Sequence, residues 1–324
     1  MEKQQSFADI EYGNRKRRTK RDEFLAAMEE VIPWGEWIAL VEGHYPSGKR
    51  GRPPRGVETM LRMYMLSNWY NLSDEGIEDA IYDSYAFRKF MRVDFLGEKQ
   101  VPDATTLCKF RKLLHENGIA DQIFSAVRKF LDEHGRMMHG GSIVDATIMD
   151  APTSTKNEQN QRDQEMHSVK KGNQWYFGER IHIGVDAGTG YIHSVEVTAA
   201  NVSERDIVPK LIREDDQVLY GDAGYTGLTK RPEFQEDNHL ASIDYRINTR
   251  NRHHWKSTVS GFDWDRHIEY QKSRVRAKVE YVFLIIKKIF GYRKVRYRGL
   301  PKNTSHARIL SACANLYMLA HSGW

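Results

Sequence analysis

The chain has 324 residues, 40% hydrophobic and 29% charged, a globular mixture long enough for two packed domains and too apolar for a disordered one. Its 49 Lys and Arg against 44 Asp and Glu leave a net charge of +5, so the placement of positive charge matters more than its amount. Two distant cysteines, Cys108 and Cys313, and no CxxC pair argue against a zinc ribbon, dithiol redox chemistry or a disulfide framework. The opening residues lack the apolar core of a secretory signal and no apolar run nears the roughly 18 residues of a membrane span, so a soluble intracellular protein is expected.

In chain order, a basic run comes first, Asn14 to Arg21 (NRKRRTKR), then a basic loop, Ser47 to Gly56, kept extended by Pro53 and Pro54. Helical spacing starts at Val57 with Met60, Leu61 and Tyr64 and breaks at Asn71 to Ser73. It resumes with Ile77, Ala80 and Ile81. Asp103 is a candidate N-cap for a third helix carrying Leu107, Phe110, Leu113 and Leu114, ended by Asn117-Gly118. A fourth runs from about Asp121 to Gly135 with Ile123, Val127, Phe130 and Leu131 inward.

After Gly140-Gly141 the texture changes. Ser142 to Met149 (SIVDATIM) reads as a strand, Thr153 to Gly172 as a polar loop, and Trp175–Val185 and Tyr191–Thr198 as a hairpin turning at DAGTG. Ser203 is placed to cap a helix bearing Ile207, Val208 and Leu211; Gln217–Tyr220 and Leu240–Ile247 read as strands. A long helix is expected from Asp265 to Phe290, closed by Gly291, and a last one over Ser305–His321. The fold class is therefore α/β with an all-α region in front, divided at residues 1–138 and 139–324.

The long helix is the most informative stretch. At about 100° per residue Val275, Val279, Val282, Ile286 and Ile289 share one stripe, while Arg276, Glu280 and Lys287 share another immediately beside it. Taken alone, a salt-bridged surface face is the more ordinary explanation of such charges, but Arg before Glu is the weaker order for that pair and the apolar stripe lies beside the charges rather than opposite them. Asp145 is a bare carboxylate in a strand that otherwise favours burial, a residue type depleted in strands. Asp222 follows a short apolar strand among glycines, where a turn aspartate is also ordinary.

Several blocks together resemble the DDE transposases of bacterial insertion sequences, most closely the insertion-sequence-five family. They are Gly51 to Ser84, Val101 to Leu114, IVDATIMDAPTSTKN at Ile143, IHIGVDAGTGYIHSVEVTAANVSERD at Ile181, VLYGDAGYTG at Val218 and RVRAKVEYVFLIIKKIFGYRKVRYRGLPKN at Arg274. The family's aspartates fall on Asp145 and Asp222 and its glutamate on Glu280. Its helix signature is Tyr, two residues, Arg, three residues, Glu, six residues, Lys; it finds Arg276, Glu280 and Lys287, with Ser273 where the Tyr would stand.

The resemblance implies an RNase H-like catalytic domain, a mixed sheet flanked by helices. It implies that Asp145, Asp222 and Glu280 hold two Mg²⁺ ions, with Mn²⁺ able to substitute, and that the protein cuts double-stranded DNA at the element's terminal inverted repeats and joins the 3′-hydroxyl ends to target DNA. A homodimer or larger assembly on DNA, in a bacterial cytoplasm and at the nucleoid, goes with that activity. Arg276 and Lys287 would meet phosphates beside the carboxylates. The other expected DNA contacts are a disordered basic arm (Arg15, Lys16, Arg17, Arg18) and the loop Lys49, Arg50, Arg52, either a minor-groove hook or a linker. Lys109 and Arg111 lie on a helix that suits DNA reading or dimerisation, and Arg293, Lys294, Arg296 and Arg298 lie on a segment expected to be a strand. Trp175 either stacks on an unpaired base or fills the core. The competing functions are a nuclease that does not join ends and a DNA-binding relic without catalysis.

Overall fold

The computed structural model describes residues 12–48, 53–93, 101–156, 158, 160–249, 258–259 and 262–321. Among them the first half is helical: α1 (Lys20–Val31), α2 (Trp34–Glu42), α3 (Val57–Trp69), α4 (Asp74–Asp83), α5 (Tyr85–Met91), α6 (Ala104–Glu116) and α7 (Ile119–Glu133). Local chemistry sets the starts. Thr19 and Asp22 form a reciprocal capping box on α1, and Ser73, Ser84 and Asp103 each accept a backbone N–H at the head of α4, α5 and α6. The basic run is thus only partly an arm, since Lys20 and Arg21 already belong to α1.

Helix α3 is buried on every side from Met60 to Trp69, including Arg62, which Glu29 and Glu58 pair and Trp34 stacks on at 4.1 Å. A guanidinium this deep is tolerated because every side of it is answered.

The second half builds a six-stranded mixed sheet from β1 (Gly141–Asp150), β2 (His167–Lys171), β3 (Gln174–Asp186), β4 (Ile192–Ala199), β5 (Val218–Gly221) and β6 (Asp244–Ile247). Antiparallel β3 lies along β1; its other edge takes β2 first and β4 after. On the far side of β1, β5 and then β6 add in parallel. One face of the sheet shares a continuous core with the N-terminal helices, α11 (Trp264–Leu284) and α12 (Leu300–His321). The opposite face is covered by α8 (Glu204–Leu211), which packs Ile207, Val208 and Leu211 on Val144, Leu219 and Tyr225. Helix α12 lies against α1, α7 and β4, so the last helix sits among the first ones.

Several expected elements are corrected. The polar loop to Gly172 ends in β2, whose HSVKK has no apolar alternation because both its faces are largely solvated; pairing with β3 alone makes it a strand. Two short helices, α9 (Pro232–Glu236) and α10 (Asn238–Ser242), precede β6; α10, capped by Asp237, takes up the start of the expected Leu240 strand, and only β6 remains extended. The segment after α11 is no strand: it touches the sheet at one bridge, Asp150 to Lys294, and is anchored by buried Tyr292 and Val295. Ser203 sits at the N-cap of α8 without a side-chain hydrogen bond. Helix α11 gives way to a π-helical turn at Ile285–Ile289, and α12 starts at Leu300, ahead of Ser305.

Candidate catalytic site

Parallel pairing between β1 and β5 runs from Gly141–Val218 to Ile143–Tyr220, and β5 then ends while β1 continues. Asp145 and Asp222 each lie two positions beyond that last pair. With a side-chain period of two, both project on the face that Ile143 and Tyr220 share with α11. Asp145 Oδ1 accepts the Ala146 N–H at 2.7 Å, and Oδ2 is 3.5 Å from Arg276 Nη1. Asp222 Oδ1 accepts the Gly224 N–H at 2.8 Å, capping the short turn Ala223–Tyr225. Burial pushes the Asp145 carboxyl up to about 6; the Asp222 and Glu204 charges add to the rise, while the Ala146 N–H and Arg276 oppose it.

Helix α11 crosses above these aspartates. Val279, Val282 and Ile286 are buried under it, while Arg276 and Lys287 are half-buried beside them. Arg276 Nη2 donates to Glu280 Oε1 at 2.8 Å while its Nη1 faces Asp145, so one guanidinium links two of the three expected carboxylates. The Glu280 side chain is 60% exposed. Lys287 Nζ donates to the Ile148 carbonyl at 3.1 Å, and burial lowers its pKa. Ser273 accepts from Asn248 Nδ2 at 3.1 Å, tying the helix to the end of β6.

The expected DNA contacts fall in different places. Arg15, Lys16, Arg17, Arg18, Lys109, Arg293, Lys294 and Arg298 are exposed; Lys49, Arg50 and Arg52 lie outside the described residues. Arg111 is committed elsewhere: both ends of its fork meet Asp74 at 2.7 Å, and it lies over the Tyr297 ring. Arg296 is half-buried. Trp175 is not a core residue. It is 67% exposed, opposite Lys170 on the β2–β3 hairpin.

Four neighbours of the site were not singled out by sequence. Glu204, in the first turn of α8, pairs with the largely buried Arg180 of β3 at 3.1 Å, and the Asp222 charge acts on it. An acid at a helix N-terminus is ordinary, so its spacing gives no signal. Tyr225 is fully buried beneath the turn after Asp222. Lys171, at the tip of β2, acts electrostatically on both Lys287 and Glu204, which brings the hairpin to the rim of the site.

The donors available are carboxylate oxygens, the chemistry that suits a hard divalent cation. Asp222 Oδ2 has no hydrogen-bond partner among the described residues. As the side chains stand, no three His, Cys, Asp or Glu among the described residues converge tightly enough to grip one ion, and Glu280 is turned to Arg276. No helix among the described residues is long and apolar enough to cross a membrane.

Asp145 within β1 and Asp222 just past the end of the parallel β5, with Arg276 and Lys287 beside them, make an acidic site rimmed by cations on an α/β scaffold. Family comparison narrows the class. A model described as a transposase domain (DUF772) matches residues 14–113, and the transposase DDE domain matches residues 136–316. The second covers more than half of the chain, which therefore belongs to the DDE transposase family. DNA is the partner that membership implies, DNA transposition the process, and a divalent metal the general requirement for cutting.

Proposed function

We propose that this chain is a transposase of the insertion-sequence-five type. It binds the terminal inverted repeats of its element, cleaves there and transfers the 3′-hydroxyl ends to target DNA. The observation that carries the reading is the placement of Asp145 on β1 and of Asp222 just past the end of the adjacent parallel β5, on one face, under the helix that bears Glu280. The strand order, β1 central with antiparallel β3 and β4 on one side and parallel β5 and β6 on the other, supports an RNase H-like catalytic domain over 139–324, preceded by a DNA-binding or dimerising region over 1–138.

In this reading Asp145, Asp222 and Glu280 hold two Mg²⁺ ions, Mn²⁺ substituting. Bound there, the ions activate the attacking oxygen and neutralise charge on the phosphate. Burial disfavours charge on Asp145, so it is the carboxylate with most to gain from a cation beside it. Arg276 restrains Asp145 and Glu280 by a charge-assisted link, and Arg276 and Lys287 present cations to the phosphates on either side. Lys171 and exposed Trp175 on the hairpin extend that surface, Trp175 offering a stacking face for an unpaired base. Two ends must be brought together, so a dimer or larger assembly on DNA belongs to the proposal.

The test is incubation of the purified protein with Mg²⁺ and DNA carrying the flanking inverted repeats. Cleavage at those ends followed by joined product supports the reading. Cleavage without joining makes the protein a nuclease, and no cleavage at the ends overturns the proposal.

A further inference from the structure

Helix α11 has a third face, turned away from both the core and the aspartates. Arg266, Tyr270, Arg274, Tyr281, Leu284 and Lys288 recur at helical spacing into the π-helical turn, on one stripe roughly opposite Val279, Val282 and Ile286. All six are exposed, Tyr270 by 63%, Tyr281 by 46% and Leu284 by 47%, so the face is a surface and not a second core seam. Along these residues, a length of about 33 Å at the helical rise, Glu280 is the only acid at an exposed position. The side chains of Arg266, Arg274 and Lys288 meet no carboxylate among the described residues. Exposed cations on other helices are answered one turn along, Lys112 by Glu116 and Lys129 by Glu133.

That charge pattern selects the partner. Three unanswered cations would repel the same face of a second copy, which disfavours pairing of two α11 helices. Cations interleaved with phenols suit a phosphate backbone. The stripe has no Asn or Gln to take the edge of a base, so it suits a duplex held without regard to sequence.

Glu280 is the border between two cationic faces. Arg276 and Lys287 lie to one side of it, beside the aspartates, and the stripe begins on the other side. Joining DNA requires two DNAs to meet at one set of carboxylates, and these faces approach Glu280 from opposite sides.

We propose that the outward face of α11 is the docking surface for target DNA, a duplex of no fixed sequence held through its phosphates. The inference rests on the strand-transfer reading above and goes beyond it by separating the DNA that is cut from the DNA that receives the cut end.

The test uses the full chain carrying Arg266→Gln, Arg274→Gln and Lys288→Gln together, with one duplex that lacks the terminal repeats and one that has them. The melting temperature should match the parent's, because all three side chains are exposed. Affinity for the repeat-free duplex should fall by about tenfold or more, and the slope of log affinity against log salt should flatten by about 3, close to one per lost phosphate contact. With Mg²⁺, cleavage at the repeats should continue while joining to the repeat-free duplex falls by about tenfold or more. Lys210→Gln, on α8 across the sheet, is the control and should alter neither slope nor joining. An unchanged salt slope or parent-like joining overturns the inference and leaves the proposed function standing. Loss of cleavage together with joining assigns the face to the element ends, and a changed sedimentation coefficient assigns it to a second copy; either result overturns the inference. A parent that cuts the ends and never joins them overturns the strand-transfer reading, and the inference falls with it.

Discussion

The Arg276 guanidinium donates to Glu280 at 2.8 Å and faces Asp145 at 3.5 Å, so the same cation neutralises a carboxylate on a helix and another on the central strand. Glu280 is mostly exposed, which makes that pair worth well under about 1 kcal/mol to the fold.

Glu280→Gln should therefore leave the melting temperature and DNA affinity close to those of the parent. Mg²⁺-dependent cleavage of end-containing DNA should fall by about a hundredfold or more. A gel assay of cleavage beside a thermal melt separates the two effects. Undiminished cleavage would remove Glu280 from the catalytic set.

Glu179 yields a pH prediction away from the site. Its side chain is fully buried, Tyr292 donates to Oε1 at 3.2 Å, Oε2 has no partner among the described residues, and burial pushes the carboxyl up to about 8. The folded state therefore holds a proton that the unfolded chain releases near pH 4.5. That contribution is fully present below about pH 4.5 and is lost as pH rises through about 8, on the order of 5 kcal/mol. Urea melts of the parent at pH 5 and pH 8.5 should show the fall, and Glu179→Gln should abolish most of it.

Gly178 sits where β3 passes closest to the end of β1. A Cβ there would overlap the Met149 carbonyl oxygen and crowd the Ala151 nitrogen, both backbone atoms that cannot swing aside. Gly178→Ala should cost more than about 3 kcal/mol by forcing the pairing apart. Gly172→Ala, in the open β2–β3 turn at φ 63°, should cost only about 1 kcal/mol. Denaturant titrations of both variants check the contrast.

Trp175→Ala should change stability by less than about 0.5 kcal/mol, because the ring is 67% exposed. Binding to DNA with unpaired bases beside the cleavage point should weaken by about 1–3 kcal/mol, while binding to intact duplex should hardly change. Equal affinity for the unpaired substrate would return the hairpin to a purely structural role.

How far each feature could be read from the residues depends on whether its cause was local. Asp103 announces α6 because a cap needs only the next three residues, and Arg276, Glu280 and Lys287 share a face through helical arithmetic alone. Asp145 stands out because aspartate is rare inside an apolar strand. What stayed hidden depends on distant partners. β2 exists only through β3, and Arg111 is taken up by Asp74, thirty-seven residues earlier. The exposure of Trp175 follows from a hairpin whose first strand carried no periodic signal, and Glu204 reaches the aspartates only because α8 covers the sheet face behind them.

The position of α12 has a consequence for the moment at which the protein comes into being. Leu310, Ala314 and Leu316 are sealed in the same core as Met28 and Val127, so the first helices to leave a ribosome stay incomplete until residues 300–321 follow. A chain halted before that helix would leave the apolar faces of α1 and α7 uncovered, since α12 is what packs on both.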